Sequence, residues 1–456
     1  MALQHKEEKH LLNFRVQKLG KIKDAEVRLA PLTILVGKNN TGKSYIATSI
    51  WALSNLRRLL NNDDAKRNRP AWFIEFLNFD QPATLRHLEI DAEKSVELVE
   101  YVNKLFERGG AEFFSYIFAF QGFETTAFRI QETAFQPFKI RATTLEEGSR
   151  ETILQDVVNV SFIRETDGDE PFLEFQFPLE MWKTHSRFEE SILTEMVHIA
   201  LFGRTSFATT IYIPAARTGL MLALDALISD SLSVKERSST PDLPQPLLAF
   251  LRQMTRRPHR PNDRAFEKLA TWLRETVAQG SIQTRSRPGA TEFVYTPQGT
   301  SVELPLHATS SMITELAPFL VSLTNGLQGA HLIFEEPEAH LHLEAQRRMA
   351  CAIARLVSNG AQVTVTTHSD TFLQQINNLM SLHEHPNRKA LLNELGYEKA
   401  DLINPGMVEA YEFQPDEAGT LVRRLEKTSE GFVVQTLNET LLALARETLK
   451  LREGQN

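Results

Sequence analysis

The segment from Gly37 to Ser44 combines residue types and a spacing suited to holding phosphate groups. It reads Gly-Lys-Asn-Asn-Thr-Gly-Lys-Ser and fits the pattern G-x-x-x-x-G-K-S/T in full. Glycines let the backbone curl so that successive N–H groups point at phosphate oxygens, and the N-terminus of a following helix adds positive potential. The pattern predicts a P-loop that binds ATP, in which Lys43 reaches the β and γ phosphates and Ser44 offers its hydroxyl to Mg²⁺. The predicted nucleotide-binding residues of this loop are Gly37, Asn39, Asn40, Thr41, Gly42, Lys43 and Ser44.

A pair of carboxylates ends an apolar run about 290 residues further along the chain. The run from Leu332 to Phe334 is typical of a buried strand, and Glu335 and Glu336 follow it directly. Phosphoryl transfer asks mainly for positioning and charge stabilisation. We therefore expect Glu335 to hold Mg²⁺ through water and Glu336 to orient and polarise the attacking water. Taken alone, the run would equally fit an acidic strand end that leads into a capped helix.

Two shorter motifs flank the carboxylate pair. Ser310 and Ser311 stand at the start of a helical pattern, where N–H and O–H groups face an anion. An ordinary helix cap, with Glu315 nearby, is the alternative, and the two roles are compatible. The β-branched run 361–366 delivers His368 at the C-terminal end of a strand, where α/β sheets place ligands. We expect His368 to act as a second catalytic residue that senses the γ-phosphate, although a lone histidine there is more often structural.

Strand and helix patterns place these motifs on an α/β framework. Strand patterns at 25–29 and 32–36 precede the P-loop, and a helix of roughly two to four turns follows Ser44. The acidic pair lies between a strand at 331–334 and a long helix at 339–357. The sequence thus predicts that buried strands end at the chemistry-bearing residues.

Residues 61–205 have the pattern of an insertion. The polar stretch 61–70 indicates a surface loop, and 85–108 and 188–202 indicate helices. Antiparallel strands are predicted at 138–140, 157–163 and 172–177.

The bulk composition excludes several classes of protein. The 456 residues are 42% hydrophobic and 24% charged, which is ordinary for a globular chain. The net charge of −8 argues against broad electrostatic wrapping of nucleic acid. A single cysteine, Cys351, excludes an internal disulfide and fits a reducing compartment. No secretory signal and no apolar stretch of ~20 residues is present, so we expect a cytoplasmic protein with no membrane contact.

In this order the four motifs resemble those of the ABC-class AAA ATPases of the OLD, RecF and SMC group. The run from Leu332 to His342, with its Glu-Glu-Pro-Glu-Ala-His-Leu-His, and the run from Ile211 to Leu220 look most like OLD-type ATPases of bacterial defence systems. The resemblance implies an ATP sandwiched between two head domains, so that Ser310 and Ser311 of one chain complete the site of another. A homo-oligomer, dimeric or higher, with ATP and Mg²⁺ as cofactors is therefore implied.

The chain also departs from that group. Glu335 stands where transporters and SMC proteins usually carry Asp, which implies a different metal geometry and slow turnover. Met312 stands where a transporter signature has glycine. The stretch after His368 is short and shows no acidic triad, so we expect the nuclease domain of OLD proteins to be absent.

The implied fold class is α/β, a P-loop ABC-type ATPase head with a mixed sheet, flanking helices and an inserted α+β and helical region. The implied domains are an N-terminal lobe with the P-loop (1–60), an inserted α+β region (61–205), a mainly helical insertion or dimerisation region (206–300) and a C-terminal lobe with the remaining motifs (301–456).

The implied function is that of an ATP-hydrolysing switch that multimerises and controls a separately encoded effector, expected to be a nuclease. The ATPase subunits of two-component antiphage systems such as PARIS and Septu are similar. The alternative is a DNA-binding repair ATPase of the RecF or SMC kind, which would need a basic surface or long heptads.

Two basic features leave alternatives open. The arginine-rich stretch 252–264 could contact nucleic acid phosphates, but two prolines and the lack of interleaved aromatics favour a solvated loop. Arg217 follows a short strand, where it could face phosphate, a neighbouring subunit or a structural ion-pair partner.

Overall fold

The structure is a computed structural model that describes most of the chain. The described residues are 12–77, 86–133, 135–145, 157–164, 170–178, 188–203, 210–224, 243–255, 264–287, 290–324, 327 and 330–453. They form two compact units, one drawn from the described parts of 1–17, 52–114 and 122–207 and the other from those of 18–51, 115–121 and 208–456. No helix in the described ranges has the length and apolar content that a membrane crossing requires.

Strands and helices occur in runs along the chain. The strands are β1 (Asn13–Leu19), β2 (Ile22–Arg28), β3 (Leu32–Gly37), β4 (Arg86–Ile90), β5 (Ala127–Glu132), β6 (Phe138–Leu145), β7 (Val157–Arg164), β8 (Pro171–Pro178), β9 (Thr210–Ile213), β10 (Gly280–Arg287), β11 (Ala290–Pro297), β12 (Leu304–Pro305), β13 (His331–Glu335), β14 (Gln362–Thr367), β15 (Val408–Asp416), β16 (Gly419–Arg424), β17 (Lys427–Thr428) and β18 (Gly431–Phe432). The α-helices are α1 (Lys43–Leu53), α2 (Arg57–Leu60), α3 (Asp63–Arg67), α4 (Ala71–Leu77), α5 (Ala92–Phe118), α6 (Phe188–Phe202), α7 (Arg217–Leu222), α8 (Gln245–Thr255), α9 (Arg264–Leu273), α10 (Ser311–Thr324), α11 (Leu343–Ser358), α12 (Asp370–Glu384), α13 (Arg388–Leu395) and α14 (Gln435–Glu453).

The second unit contains a mixed sheet in the order β2-β16-β15-β3-β14-β13-β9. Strands β15, β3, β14, β13 and β9 run parallel to one another, whereas β16 is antiparallel to β15. Strands β3 and β13 are buried along their whole length. This matches the apolar character of strands that are covered on both faces.

The core of the second unit lies between this sheet and its helices. Leu332, Ile333 and Phe334 on β13 are each at most 1% exposed. Burying a side chain of this size contributes about 1.5–3 kcal/mol to the free energy of unfolding. Helix α11 packs against α12, and α9 packs against α10. The polar residues at the strand ends are thus mounted on a rigid apolar base.

The first unit consists of helices and antiparallel strands. Its sheet in the order β4-β6-β7-β8 is antiparallel throughout, and β1 pairs antiparallel with β5. The predicted antiparallel strands and the predicted helix at 188–202 are confirmed here. The division of the chain into the predicted domains stays a prediction.

Two element predictions in the first unit were wrong in part. The predicted loop 61–70 contains helix α3, because the Asn62 side chain accepts a hydrogen bond from the Ala65 N–H at 2.6 Å and caps a short helix. The predicted helix 85–108 begins as strand β4, in which alternate residues are buried, and continues as helix α5.

The predicted helix 339–357 starts later than expected, at Leu343. Glu336 and His340 have φ angles of 44° and 57°, which a right-handed helix does not accommodate. His342 then caps α11 by accepting a hydrogen bond from the Ala345 N–H at 3.3 Å. The residues after the acidic pair therefore form a turn.

Candidate active site

The P-loop lies between β3 and α1, as the motif predicts. Lys43 is 6% exposed, and its Nζ donates hydrogen bonds of 2.8 Å to the carbonyl oxygens of Gly37 and Lys38. The side chain therefore curls back over the loop that precedes it. Burial lowers the pKa of Lys43, and Glu336, Glu338 and Glu335 act in the opposite direction.

Steric limits explain both glycines of the loop. A Cβ on Gly37 would lie 2.8 Å from the Phe413 carbonyl oxygen, so no side chain fits between the loop and β15. Gly42 has a φ of 94°, which L side chains rarely adopt, and a Cβ there would lie 3.0 Å from Ile22 Cγ1. Glycine is therefore the residue that fits at both positions of the loop.

The remaining predicted residues of the loop differ in their solvent exposure. Asn39, Asn40 and Ser44 are exposed, whereas Thr41 is buried and donates a hydrogen bond to the Lys38 carbonyl at 2.8 Å. Exposed amides and hydroxyls at a helix N-terminus are available to an anionic ligand. The buried Thr41 side chain instead stabilises the loop itself.

Strand pairing brings the P-loop and the acidic pair to one edge of the sheet. Thr366 on β14 pairs with Leu35 on β3 and with Glu335 on β13, and all three strands run parallel. The carboxyl ends of parallel strands meet at the same edge, where α/β sheets place their ligands. Lys43, Glu335, Glu336 and His368 therefore converge on that edge.

Glu335 is buried, and its carboxylate faces oxygen and nitrogen donors. Its Oε2 accepts a hydrogen bond from the Ala215 N–H at 3.2 Å. Burial raises the pKa of Glu335, and hydrogen bonds from Ser44, Ala215 and Tyr212 counteract this shift. The buried Oε1 has no hydrogen bond of good geometry to any of the described residues.

These residues fit a Mg²⁺ ion. Ser44 contributes a hydroxyl and Glu335 a carboxylate, and Mg²⁺ prefers oxygen ligands while keeping several waters. Within the described ranges no group of three or more His, Cys, Asp or Glu could hold a metal. An ion here would therefore depend on phosphate and water oxygens for its other ligands.

Glu336 adopts a strained backbone conformation. Its φ of 44° is unusual for any residue other than glycine. The peptide is held by a hydrogen bond of 2.9 Å from the Glu336 N–H to the Thr366 carbonyl oxygen. Strained residues of this kind cluster at functional sites.

The Glu336 carboxylate is half-buried and paired with His368. The Glu336 Oε1 lies 3.6 Å from His368 Nδ1. This close contact with His368 lowers the pKa of Glu336, and the same contact raises the pKa of His368. The pair therefore favours the ionised form of the Glu336 carboxylate.

Glu338 is a site residue that the sequence pattern did not reveal. It is 3% exposed, and its Oε1 accepts hydrogen bonds from the Thr367 hydroxyl at 2.6 Å and the His368 N–H at 3.0 Å. It thereby fixes the turn that carries His368. The sequence feature that could have identified it is its position two residues after the acidic pair.

Arg217 faces carboxylates, which decides among the alternatives left open by the sequence. It is 1% exposed, and its Nε lies 2.6 Å from Glu315 Oε2. Burial lowers the pKa of Arg217, and Glu315 is the strongest of the opposing carboxylates. The guanidinium is therefore in a buried ion pair.

Ser310 and Ser311 lie at the N-terminus of α10, and both are exposed. The Ile313 N–H donates weakly to Ser310 Oγ at 3.4 Å, so the capping role is present. Of the arginine-rich stretch, residues 256–263 lie outside the described residues.

Comparisons with known proteins place the chain in a family. Similar solved structures include an SMC head bound to the C-terminal winged-helix domain of ScpA (13% identity, 91% of this chain and 97% of that chain, TM-score 0.37) and the SMC head domain from Thermotoga maritima (10%, 91% and 99%, 0.33). A further one is the SMC head domain with an extended coiled coil bound to the C-terminal domain of ScpA from Pyrococcus furiosus (11%, 96% and 99%, 0.35). No curated protein matches. The family model described as AAA ATPase domain matches residues 10–187 and 259–373, which is more than half of the chain. The chain belongs to the AAA ATPase domain family.

Proposed function

We propose that this protein hydrolyses ATP at a site in which the P-loop and the acidic pair of one chain meet Ser310 and Ser311 of a second chain. The observation that carries the proposal is the convergence of Lys43, Glu335 and Glu336 at one sheet edge. The exposure of Ser310 and Ser311 supports a role toward a second chain, because both side chains are open to a partner.

Each residue has a distinct role in the proposed reaction. A bound Mg²⁺ would neutralise charge on the phosphates. Ser44 and Glu335 would hold that ion, and Lys43 would contact the β and γ phosphates. Glu336 orients the attacking water and accepts its proton, and His368 keeps the Glu336 carboxylate ionised and in place.

The proposed biological role is that of a switch. The chain would multimerise with ATP and control a separately encoded effector, for which a nuclease is the first candidate. Support comes from the resemblance of the Leu332 to His342 run to OLD-type defence ATPases.

Affinity capture of the full chain from its native host, followed by identification of the co-encoded partner, tests this role. Recovery of the chain alone would contradict it, and ATP-dependent retention of DNA at ~150 mM salt would favour the repair alternative.

Glu336→Gln tests the reaction. The substitution keeps the shape of the side chain but removes the negative charge that orients and deprotonates water. We expect nucleotide affinity within about twofold of the unsubstituted protein and a kcat reduced by about 100-fold or more. Glu344→Gln, a substitution of an exposed glutamate on α11, is the control. Unchanged turnover in the Glu336→Gln protein would refute the assigned role.

A further inference from the structure

Arg217 binds the backbone of both residues of the acidic pair. Its Nη1 donates to the Glu335 carbonyl oxygen at 2.8 Å, and its Nη2 donates to the Glu336 carbonyl oxygen at 2.9 Å. Nη1 also donates to the Pro214 carbonyl at 3.1 Å. The planar guanidinium thus clamps two consecutive carbonyls at the point where the chain leaves β13.

Arg217 restrains the backbone of Glu336, which is strained. Glu336 has the left-handed φ of 44°, which nothing in its own side chain favours. The Thr366 carbonyl holds its N–H, and Arg217 holds its C=O, so both sides of the residue are restrained. The direction of the Glu336 carboxylate depends on this backbone geometry.

The opposite edge of the guanidinium binds the helix that carries the exposed serines. Nε of Arg217 contacts Glu315 Oε2 at 2.6 Å and the Glu315 carbonyl oxygen at 3.1 Å. The Thr218 hydroxyl donates to Glu315 Oε1 at 2.6 Å. Glu315 lies one turn into α10, which begins at Ser311. A single side chain therefore joins α10 to the acidic pair.

We propose that Arg217 is a positioning residue for hydrolysis, which holds Glu336 in its strained conformation and couples that conformation to α10 through Glu315. This inference rests on the proposed function, because it assumes that Glu336 orients the attacking water. A movement of α10 on contact with a second chain would reach Glu336 through this path. Arg217 itself contacts neither nucleotide nor water in this role.

Arg217→Lys is the principal test. A lysine keeps the charge but does not span two carbonyls and a carboxylate at once. We expect kcat for ATP to fall by about tenfold to 100-fold, since a small displacement of a catalytic group has effects of this size. KM and the nucleotide Kd should stay within about twofold, because the P-loop is untouched.

Arg355→Lys is the matched control. Arg355 is also a buried arginine of the second unit, with its Nε 2.7 Å from Asp401 Oδ1 and its guanidinium over the Trp272 ring. We expect this variant to lose stability but to retain kcat per folded protein. A merely structural role for Arg217 predicts that the two variants behave alike.

A second variant keeps the proposal testable if Arg217→Lys does not fold. Glu315→Gln preserves the side-chain shape and the Thr218 contact but removes the charge that orients Arg217. It should lower kcat by about tenfold with KM unchanged, and its effect should not multiply with that of Arg217→Lys, because both act in one network. A kcat within twofold of the unsubstituted protein in the folded variants would overturn the inference.

These variants distinguish a failure of this inference from a failure of the proposed function. Loss of turnover in Glu336→Gln together with normal turnover in Arg217→Lys and Glu315→Gln would refute the inference alone. Normal turnover in Glu336→Gln would remove the basis of both.

Discussion

The Oε1 atom of Glu336 lies 3.6 Å from Nδ1 of His368, and each residue shifts the pKa of the other. The pKa of His368 is raised from 6.5, mainly by its contact with Glu336, and the pKa of Glu336 is lowered from 4.5, mainly by the same contact. Both groups are charged between these values. The pair therefore makes its full contribution to stability between pH 4.5 and 6.5.

The pairing predicts how stability depends on pH. The contribution of His368 is lost as pH rises through its raised pKa, and that of Glu336 is lost as pH falls through its lowered pKa. We expect His368→Gln to reduce the free energy of unfolding most near the middle of that range, by less than about 1 kcal/mol because the pair is partly exposed. The difference should shrink toward pH 8. Urea unfolding at several pH values measures it, with His307→Gln at an exposed histidine as the control. A pH-independent difference would contradict the pairing.

The strained backbone of Glu336 predicts which of two substitutions at this position gives the more stable protein. At a φ of 44°, alanine is strained and glycine is not. We expect Glu336→Gly to be more stable than Glu336→Ala by about 1 kcal/mol, the reverse of the order in an ordinary helix. Both variants should lack hydrolysis. Thermal unfolding of the two proteins side by side measures the difference, and a more stable alanine variant would show that the residue is not strained.

The proposed contact of Lys43 with the phosphates predicts a loss of nucleotide affinity when its side chain is truncated. In the proposed site, removing its ammonium group deletes one charge-assisted hydrogen bond to the phosphates, worth about 1.5–3 kcal/mol. Lys43→Ala should therefore raise the Kd for ATP by about 10- to 100-fold. Titration with a fluorescent ATP analogue measures this, and Lys21→Ala, at an exposed lysine, serves as the control. Equal affinity in both variants would place the phosphates elsewhere.

A site shared by two chains predicts complementation. Ser310→Arg should block the contact of α10 with the nucleotide of another chain, and Lys43→Ala should block binding in its own loop. Each protein alone should be inactive in ATP hydrolysis. An equal mixture of the two should recover up to about a quarter of the normal activity, because about half of the dimers are mixed and each mixed dimer contains one intact site of two. A mixture that stays inactive, with both proteins folded, would argue for a site within one chain.

Local patterns in the sequence determined the elements that carry the chemistry. The strand before Gly37 and the strand before Glu335 were predictable because a short apolar run between polar turns favours a buried strand. The glycine and lysine spacing of the P-loop likewise constrains a local backbone. These features depend on residues a few positions apart, so neighbours in the chain suffice to specify them.

Tertiary structure alone decided which distant residues share the site. Strand β3 lies between β14 and β15, both more than 300 residues later in the chain. Arg217 and Glu315 are separated by 98 positions, and no periodicity links them. Their contact arises because α7, which begins at Arg217, packs against α10, and burial there excludes water and leaves each charge dependent on the other. The same packing imposes the left-handed turn at Glu336, which the run Glu-Glu-Pro-Glu does not itself dictate.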